Sequence, residues 1–259
     1  MVDSTYTTRM QFTARRVLSL TDLTSLNDND DERSIQKLLK LASTDAGKVA
    51  AVCCWARFIP VAKPVLEGTG IALAVVANFP AGAAVATAAA AETAAAVAAG
   101  ANEVDVVFPY RALMSGDEQS GLNLVKACRA ACGEHALLKV ILETGQLGSD
   151  RNISVAARIA CEGGAHFLKT STGKTQPGAT TEAVAVLLDV IAMYSKRGRQ
   201  VGLKVSGGIR SVEQATQYLE LYEDFLGAGT ATPATFRIGA SSLVSDILTV
   251  LCPKERDVQ

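Results

Sequence analysis

An α/β chain built as a single (β/α)8 barrel with a short N-terminal helix is what this sequence predicts, and three observations predict it. Eight short apolar segments alternate with helical patterns along nearly the whole chain, the rhythm of parallel strands joined by returning helices. The 259 residues suit one large α/β domain and no linker divides them, so 1–259 is expected to be a single domain with flexible extreme termini. Charged residues recur inside otherwise apolar strands, which a barrel would gather at its carboxyl mouth. A six-stranded doubly wound sheet is the competing architecture, and it uses fewer strands than are counted.

Taken in order, the spacing predicts a helix over 9–16, a strand over 17–20 and a turn at 21–24 that places Asp22 just past the first strand. Asp28 to Asp31 supply acidic start residues for a helix carrying Ile35, Leu38, Leu39 and Leu41 at helical spacing. A strand over 49–54 precedes a helix near Pro60, with Pro64 blurring its boundary. Strands are then expected over 71–76, 104–108, 137–142, 165–168, 201–205 and 236–238. The intervening helices fall over 84–99, 117–132, 153–161, 183–194 and 211–223, and a Gly/Thr/Pro loop at 227–235 is a candidate to close over one mouth.

Composition excludes several functions. The 25 basic and 26 acidic side chains nearly cancel, giving formal net charge −1 and no electrostatic case for nucleic acid or an anionic membrane. The apolar region 71–99 is interrupted by Asn78, Pro80 and Gly82 and carries Glu92, so it reads as strand, turn and alanine-rich helix rather than a membrane span. Asp3 and Arg9 spoil a signal-peptide pattern at the amino end. Six scattered cysteines are too few for a disulfide scaffold, which favours a reducing, cytoplasmic setting. With only His135 and His166 and no ligand cluster, neither metal nor cofactor is expected.

The chemistry-bearing stretch is Ala165-His166-Phe167-Leu168-Lys169-Thr170-Ser171-Thr172-Gly173-Lys174, a buried-strand pattern ending in a lysine. Val201-Gly202-Leu203-Lys204-Val205-Ser206-Gly207-Gly208-Ile209-Arg210 repeats the form. Two lysines in one pocket oppose each other's protonation, which makes an amine nucleophilic near neutral pH. The competing reading lets both snorkel to solvent. Asp105, flanked by Val104, Val106 and Val107, is the strongest acidic candidate for proton transfer, against an ion pair with Lys139 or Lys204 that merely offsets burial. Asp22 would orient a hydroxyl or a lysine, or cap a helix. Lys139 would tune the same network. Gly207-Gly208, Gly239-Ala240-Ser241-Ser242, and Gly173 with Lys174 suggest a phosphate site, though such pieces also make tight turns. Cys53 reads as a pocket or core residue and Cys54 as packing beyond the barrel.

Leu20-Thr21-Asp22-Leu23-Thr24, Glu103 through Arg111 (EVDVVFPYR) and Phe167 through Lys174 closely resemble the deoxyribose-phosphate aldolase family. Lys204 with Gly207-Gly208-Ile209-Arg210, and the Gly239 to Ser242 turn, extend the resemblance over nearly the whole chain. It implies reversible cleavage of 2-deoxy-D-ribose 5-phosphate to D-glyceraldehyde 3-phosphate and acetaldehyde, with Lys169 as Schiff-base lysine, Lys204 lowering its pKa and Asp105 relaying protons. Cys53 would line the aldehyde pocket. Thr172, Gly173, Lys174, Gly207, Gly208, Gly239, Ser241 and Ser242 would hold substrate, chiefly its phosphate, with Arg210 adding positive field. A homodimer is compatible with the resemblance. Some relatives end in a tyrosine-bearing tail that aids proton transfer; this sequence departs from that pattern, with Lys254-Glu255-Arg256-Asp257-Val258-Gln259 in its place. A phosphate-binding barrel isomerase or epimerase, and a sugar-phosphate-binding protein without activity, are the alternatives.

Overall fold

Eight parallel strands close on themselves in the computed structural model, which describes residues 4–252. They are β1 (Thr21–Thr24), β2 (Ala51–Cys54), β3 (Ala72–Ala77), β4 (Glu103–Val107), β5 (Leu137–Ile141), β6 (Phe167–Lys169), β7 (Gly202–Ser206) and β8 (Phe236–Ala240). Thr21 pairs with Ile238 and Asp22 with Gly239 on one side of β1, while Asp22 pairs with Ala51 on the other. That closure removes both sheet edges and sets aside the doubly wound alternative.

The principal helices are α1 (Ser4–Ser19), α2 (Glu32–Leu41), α3 (Ile59–Leu66), α4 (Ala86–Ala99), α5 (Glu118–Cys132), α6 (Asp150–Gly163), α7 (Thr181–Ser195), α8 (Val212–Leu226) and α9 (Leu243–Leu251). Five of them start on a side-chain cap: Asp31, Asp117, Ser149, Thr180 and Ser211 each accept the N–H three residues on, supplying a partner for a donor the first turn cannot satisfy. Asp31 and Ser34 form a reciprocal capping box. The alanine-rich α4 lies against α5, its small side chains allowing close approach, and ends at Gly100 with φ 113°, a conformation that suits glycine.

The first elements differ from the sequence expectation. Residues 17–19 belong to α1, and the first strand is Thr21–Thr24, so Asp22 sits within a strand and caps no helix. The apolar Val17 and Leu18 that suggested a strand are buried as a helix face instead. A two-stranded antiparallel ribbon, Ser43–Thr44 with Gly47–Lys48, was not anticipated. The 227–235 loop joins α8 to β8 and therefore lies at the amino-terminal end of the barrel. There Gly229 N–H donates to Glu223, which also pairs with Arg16, so the loop does not cover the carboxyl mouth. The expected flexible termini and the sequence Lys254 to Gln259 lie outside the described residues.

Alternation along the strands sorts the interior into two media. Outward residues such as Val104, Val106, Leu138, Val140, Leu168, Leu203, Val205 and Ile238 join the main apolar core beneath the helices. A smaller apolar group of Leu26, Ala51, Cys53, Ala74 and Val76 lies on the β2–β3 side. Set against it is a group of buried charges.

Candidate active site

Seven ionisable side chains meet at the centre of the barrel: Asp22, Glu103, Asp105, Lys139, Lys169, Lys204 and Arg237, all at most 5% exposed. Strand register brings them together. Asp105 is paired with Lys139, whereas Lys169, Lys204 and Arg237 stand side by side on consecutive strands, so the cations of that row depend on carboxylates reaching them from β1 and β4. Asp105 Oδ2 accepts from Lys169 Nζ at 2.8 Å and Lys204 Nζ at 2.7 Å, and its Oδ1 accepts from Lys139 Nζ at 2.9 Å. Asp22 Oδ2 lies 2.6 Å from Lys204 Nζ in an ionic contact without hydrogen-bond alignment, and Asp22 Oδ1 accepts from Arg237 at 2.6 Å. Glu103 pairs with Lys139 and accepts from Arg237 at 2.8 Å.

The two lysines that share Asp105 Oδ2 differ in environment. Burial lowers the Lys169 pKa, and the Lys204 charge adds to that against the attraction of Asp105. Burial acts on Lys204 too, but Asp105 and Asp22 together overcome it and hold its pKa above the usual lysine value. Burial disfavours the Asp105 carboxylate, yet Lys139, Lys169 and Lys204 keep it well below its ordinary pKa. Asp22 is likewise depressed, despite burial, by Lys204, Lys139 and Arg237. Lys204 is therefore held as a cation, and Lys169 beside it gives up its proton more readily than an ordinary lysine.

A cleft of about 260 Å³ opens above this cluster, and of the seven charged groups only Lys169 lines it. Thr172, Gly173, Lys174, Gly207, Gly208, Arg210, Gly239 and Ser241 also line it. Gly207 and Gly208, with φ of 96° and 91°, shape the end of β7 in a region a side chain would strain. Ser242 is the N-cap of α9 and is not among the lining residues. Asp105, Lys204, Lys139 and Asp22 lie behind the cleft. So does Cys53, fully buried, whose pKa burial raises, so that it is no ready thiolate. Cys54 packs into the outer core. His166 is spent on structure, its Nδ1 accepting from Leu138 N–H.

The loop after β6 is held from several sides. Thr170 Oγ1 accepts from Ser206 N–H at 3.0 Å, and Ser206 Oγ donates to the Ser171 carbonyl at 2.6 Å. Glu143 accepts from the Thr172 hydroxyl at 2.5 Å and its N–H at 3.2 Å, and Thr172 Oγ1 in turn accepts from Lys174 N–H. Three of these participants, Glu103, Arg237 and Glu143, were not singled out from the sequence. The first was legible in principle, because it stands two residues before Asp105 and so faces the same way.

A closed barrel whose carboxyl mouth sets a lysine directly above a buried charge network is the arrangement of a class I aldolase, the kind that works through a lysine imine. A sequence model of the DeoC/LacD family aldolases matches residues 16–242, and the chain belongs to that family. Among solved structures it is similar to a Toxoplasma gondii ME49 protein provisionally described as a deoxyribose-phosphate aldolase, at 26% identity and TM-score 0.87 over 96% of this chain and 100% of that one. A Coccidioides immitis protein with the same provisional description gives 28% identity and TM-score 0.78 over 90% and 86%. The deoxyribose phosphate aldolase of Aeropyrum pernix, described as a tetramer of unique structure, gives 25% and 0.74 over 95% and 97%. No described helix is long and apolar enough to cross a membrane, and no group of three or more His, Cys, Asp or Glu among the described residues is placed to hold a metal ion.

Proposed function

We propose that the protein reversibly cleaves 2-deoxy-D-ribose 5-phosphate to D-glyceraldehyde 3-phosphate and acetaldehyde. The observation that carries this reading is that Lys169, alone in its charge cluster, is both exposed to the cleft and disfavoured as an ammonium. Its neutral Nζ attacks C1 of the open-chain sugar, and loss of water leaves a protonated imine. Removal of the C3 hydroxyl proton then breaks C2–C3. The electron pair moves into a two-carbon enamine, and the three-carbon aldehyde phosphate departs. Protonation at C2 and hydrolysis by water release acetaldehyde and restore the amine. Asp105, with a water, carries the proton traffic, while the Lys204 ammonium keeps Asp105 ionised and opposes protonation of Lys169.

The substrate phosphate is assigned to the other side of the cleft, with Gly173, Lys174, Gly207, Gly208, Gly239 and Ser241, and with Ser242 at the start of α9. Arg210 adds positive field there. Binding energy from that end holds C1 over Lys169. The apolar side around Cys53 and Leu26 suits the two-carbon aldehyde fragment. A cytoplasmic setting, where the free cysteines stay reduced, completes the reading.

The test is to incubate the protein with acetaldehyde, reduce with borohydride and locate the mass addition by peptide mass spectrometry. An N-ethyl group on Lys169 is expected. Turnover of a sugar phosphate with no substrate-dependent adduct would indicate an isomerase or epimerase instead. Binding without turnover would indicate a carrier.

A further inference from the structure

Beneath Lys169, on the floor of the charge cluster, Arg237 and Glu103 make an ion pair that touches neither the cleft nor the reacting atoms. We infer that this pair is a positioning element of the reaction, whose two charges set the balance of the buried cluster so that Lys169 stays an uncharged amine. The inference rests on the aldolase reading for its purpose, but its physical content is the charge state of one side chain.

Three carboxylates, Asp22, Glu103 and Asp105, are joined by direct contacts to three other cations, Lys139, Lys204 and Arg237. With those six ionised the cluster is neutral only when Lys169 is neutral, and protonating Lys169 leaves an unbalanced positive charge in a site nearly closed to water. Arg237 bridges the carboxylates of β1 and β4: one terminal nitrogen donates to Asp22 and the other to Glu103, while Nε donates to the Pro233 carbonyl. Its guanidinium stays ionised, since Asp22 and Glu103 outweigh the penalty of burial. Glu103 in turn pairs with Lys139, which also contacts Asp105. Asp105 of β4, Lys204 of β7 and Cys53 of β2 act on Lys169 directly, and Glu103 of β4, Lys139 of β5, Arg237 of β8 and Asp22 of β1 are the further charged groups that the contact chain joins to Asp105 and Lys204.

Lys169, Lys204 and Arg237 occupy one level on consecutive strands, which sets the outer two backbones ~10 Å apart. A unit charge at that separation, with an effective dielectric of ~20, shifts a neighbouring titration by about one pH unit. The signs are opposite for the two partners. Arg237→Met removes a positive charge, makes protonation of Lys169 easier and moves its titration to higher pH. Glu103→Gln removes a negative charge and moves it to lower pH. The double variant returns it towards the wild-type position.

The experiment measures carbamylation of Lys169 by cyanate as a function of pH, read by peptide mass spectrometry in the folded protein. The neutral amine adds to the carbon of isocyanic acid and its proton passes to the reagent nitrogen, so the rate divided by the isocyanic acid concentration present at each pH follows the uncharged fraction whether or not the protein is an aldolase. Expected are a midpoint displaced upward by about one unit for Arg237→Met, a downward displacement for Glu103→Gln, a return towards wild type in the double variant and the wild-type position in Arg237→Lys. Unmoved or same-direction midpoints would overturn the inference. Should Arg237→Met not fold, the isosteric Glu103→Gln variant decides by direction alone. Failure of the acetaldehyde–borohydride adduct in the wild type would instead overturn the aldolase reading and leave the cyanate midpoints to decide the charge balance.

Discussion

At the scale of single residues, Lys169 and Lys204 share one oxygen of Asp105 yet their pKa values are pushed in opposite directions, and the difference lies behind them. Lys204 also faces Asp22, while Lys169 faces the cleft. Lys169→Leu should therefore abolish the adduct and reduce cleavage to below about one thousandth of wild type, as loss of a covalent nucleophile does. Lys204→Leu should retain a weak adduct, cut kcat by about 100-fold or more, and shift the acid limb of kcat/KM to higher pH. The sign follows because removing a positive neighbour raises the Lys169 pKa, and the amine must be neutral to attack. A limb that moved to lower pH would contradict the charge assignment. Glu143→Ala, which deletes the acceptor holding Thr172 beside Lys174, should raise KM by about tenfold with a smaller effect on kcat, measurable by steady-state kinetics.

At the scale of elements, helix starts and strand ends carry the predictions. Ser211 caps α8, and Gln214, whose N–H it accepts, takes the N–H of Arg210 with its own side chain. Ser211→Ala should cost about 1 kcal/mol in denaturant unfolding while leaving adduct formation at Lys169 intact. Gly239→Ala would place a methyl 3.0 Å from Lys204 Cε and from Ser206 Cβ, so it should displace the ammonium and reduce kcat more than stability. Most elements were readable from period and punctuation, because the strands are largely apolar outward and five of the helices start on side-chain caps. The first strand was misplaced because Val17 and Leu18 are equally apolar as a helix face, and local pattern cannot tell which neighbour covers them. The charged interior was read only in part. Asp105, Lys139, Lys169 and Lys204 stand out against valine and leucine, whereas Arg237 lies in a three-residue segment too short to show a period, and Glu143 acts through a contact 29 residues away.

At the scale of the whole molecule, the barrel places an ion cluster in its own centre, which costs stability unless every member is paired. Asp22 and Asp105 have folded pKa values depressed below the unfolded value near ~3.9. Between those values the folded state binds fewer protons than the unfolded one. Stability is then fully present above about pH 4 and is lost as pH falls towards the folded pKa values. Thermal melts over decreasing pH should show a steep loss in that window, and Asp105→Asn should flatten it. A pH-independent melting temperature there would contradict the pairing described.

The most direct measurement of all is a crystal structure of the protein reduced with borohydride in the presence of deoxyribose 5-phosphate. Continuous density from Lys169 Nζ to the sugar C1 is expected, with the phosphate against Gly207, Gly208 and Ser241. A sugar phosphate bound there without a covalent link, or a link formed at another lysine, would contradict the assignment of Lys169 as the reacting amine.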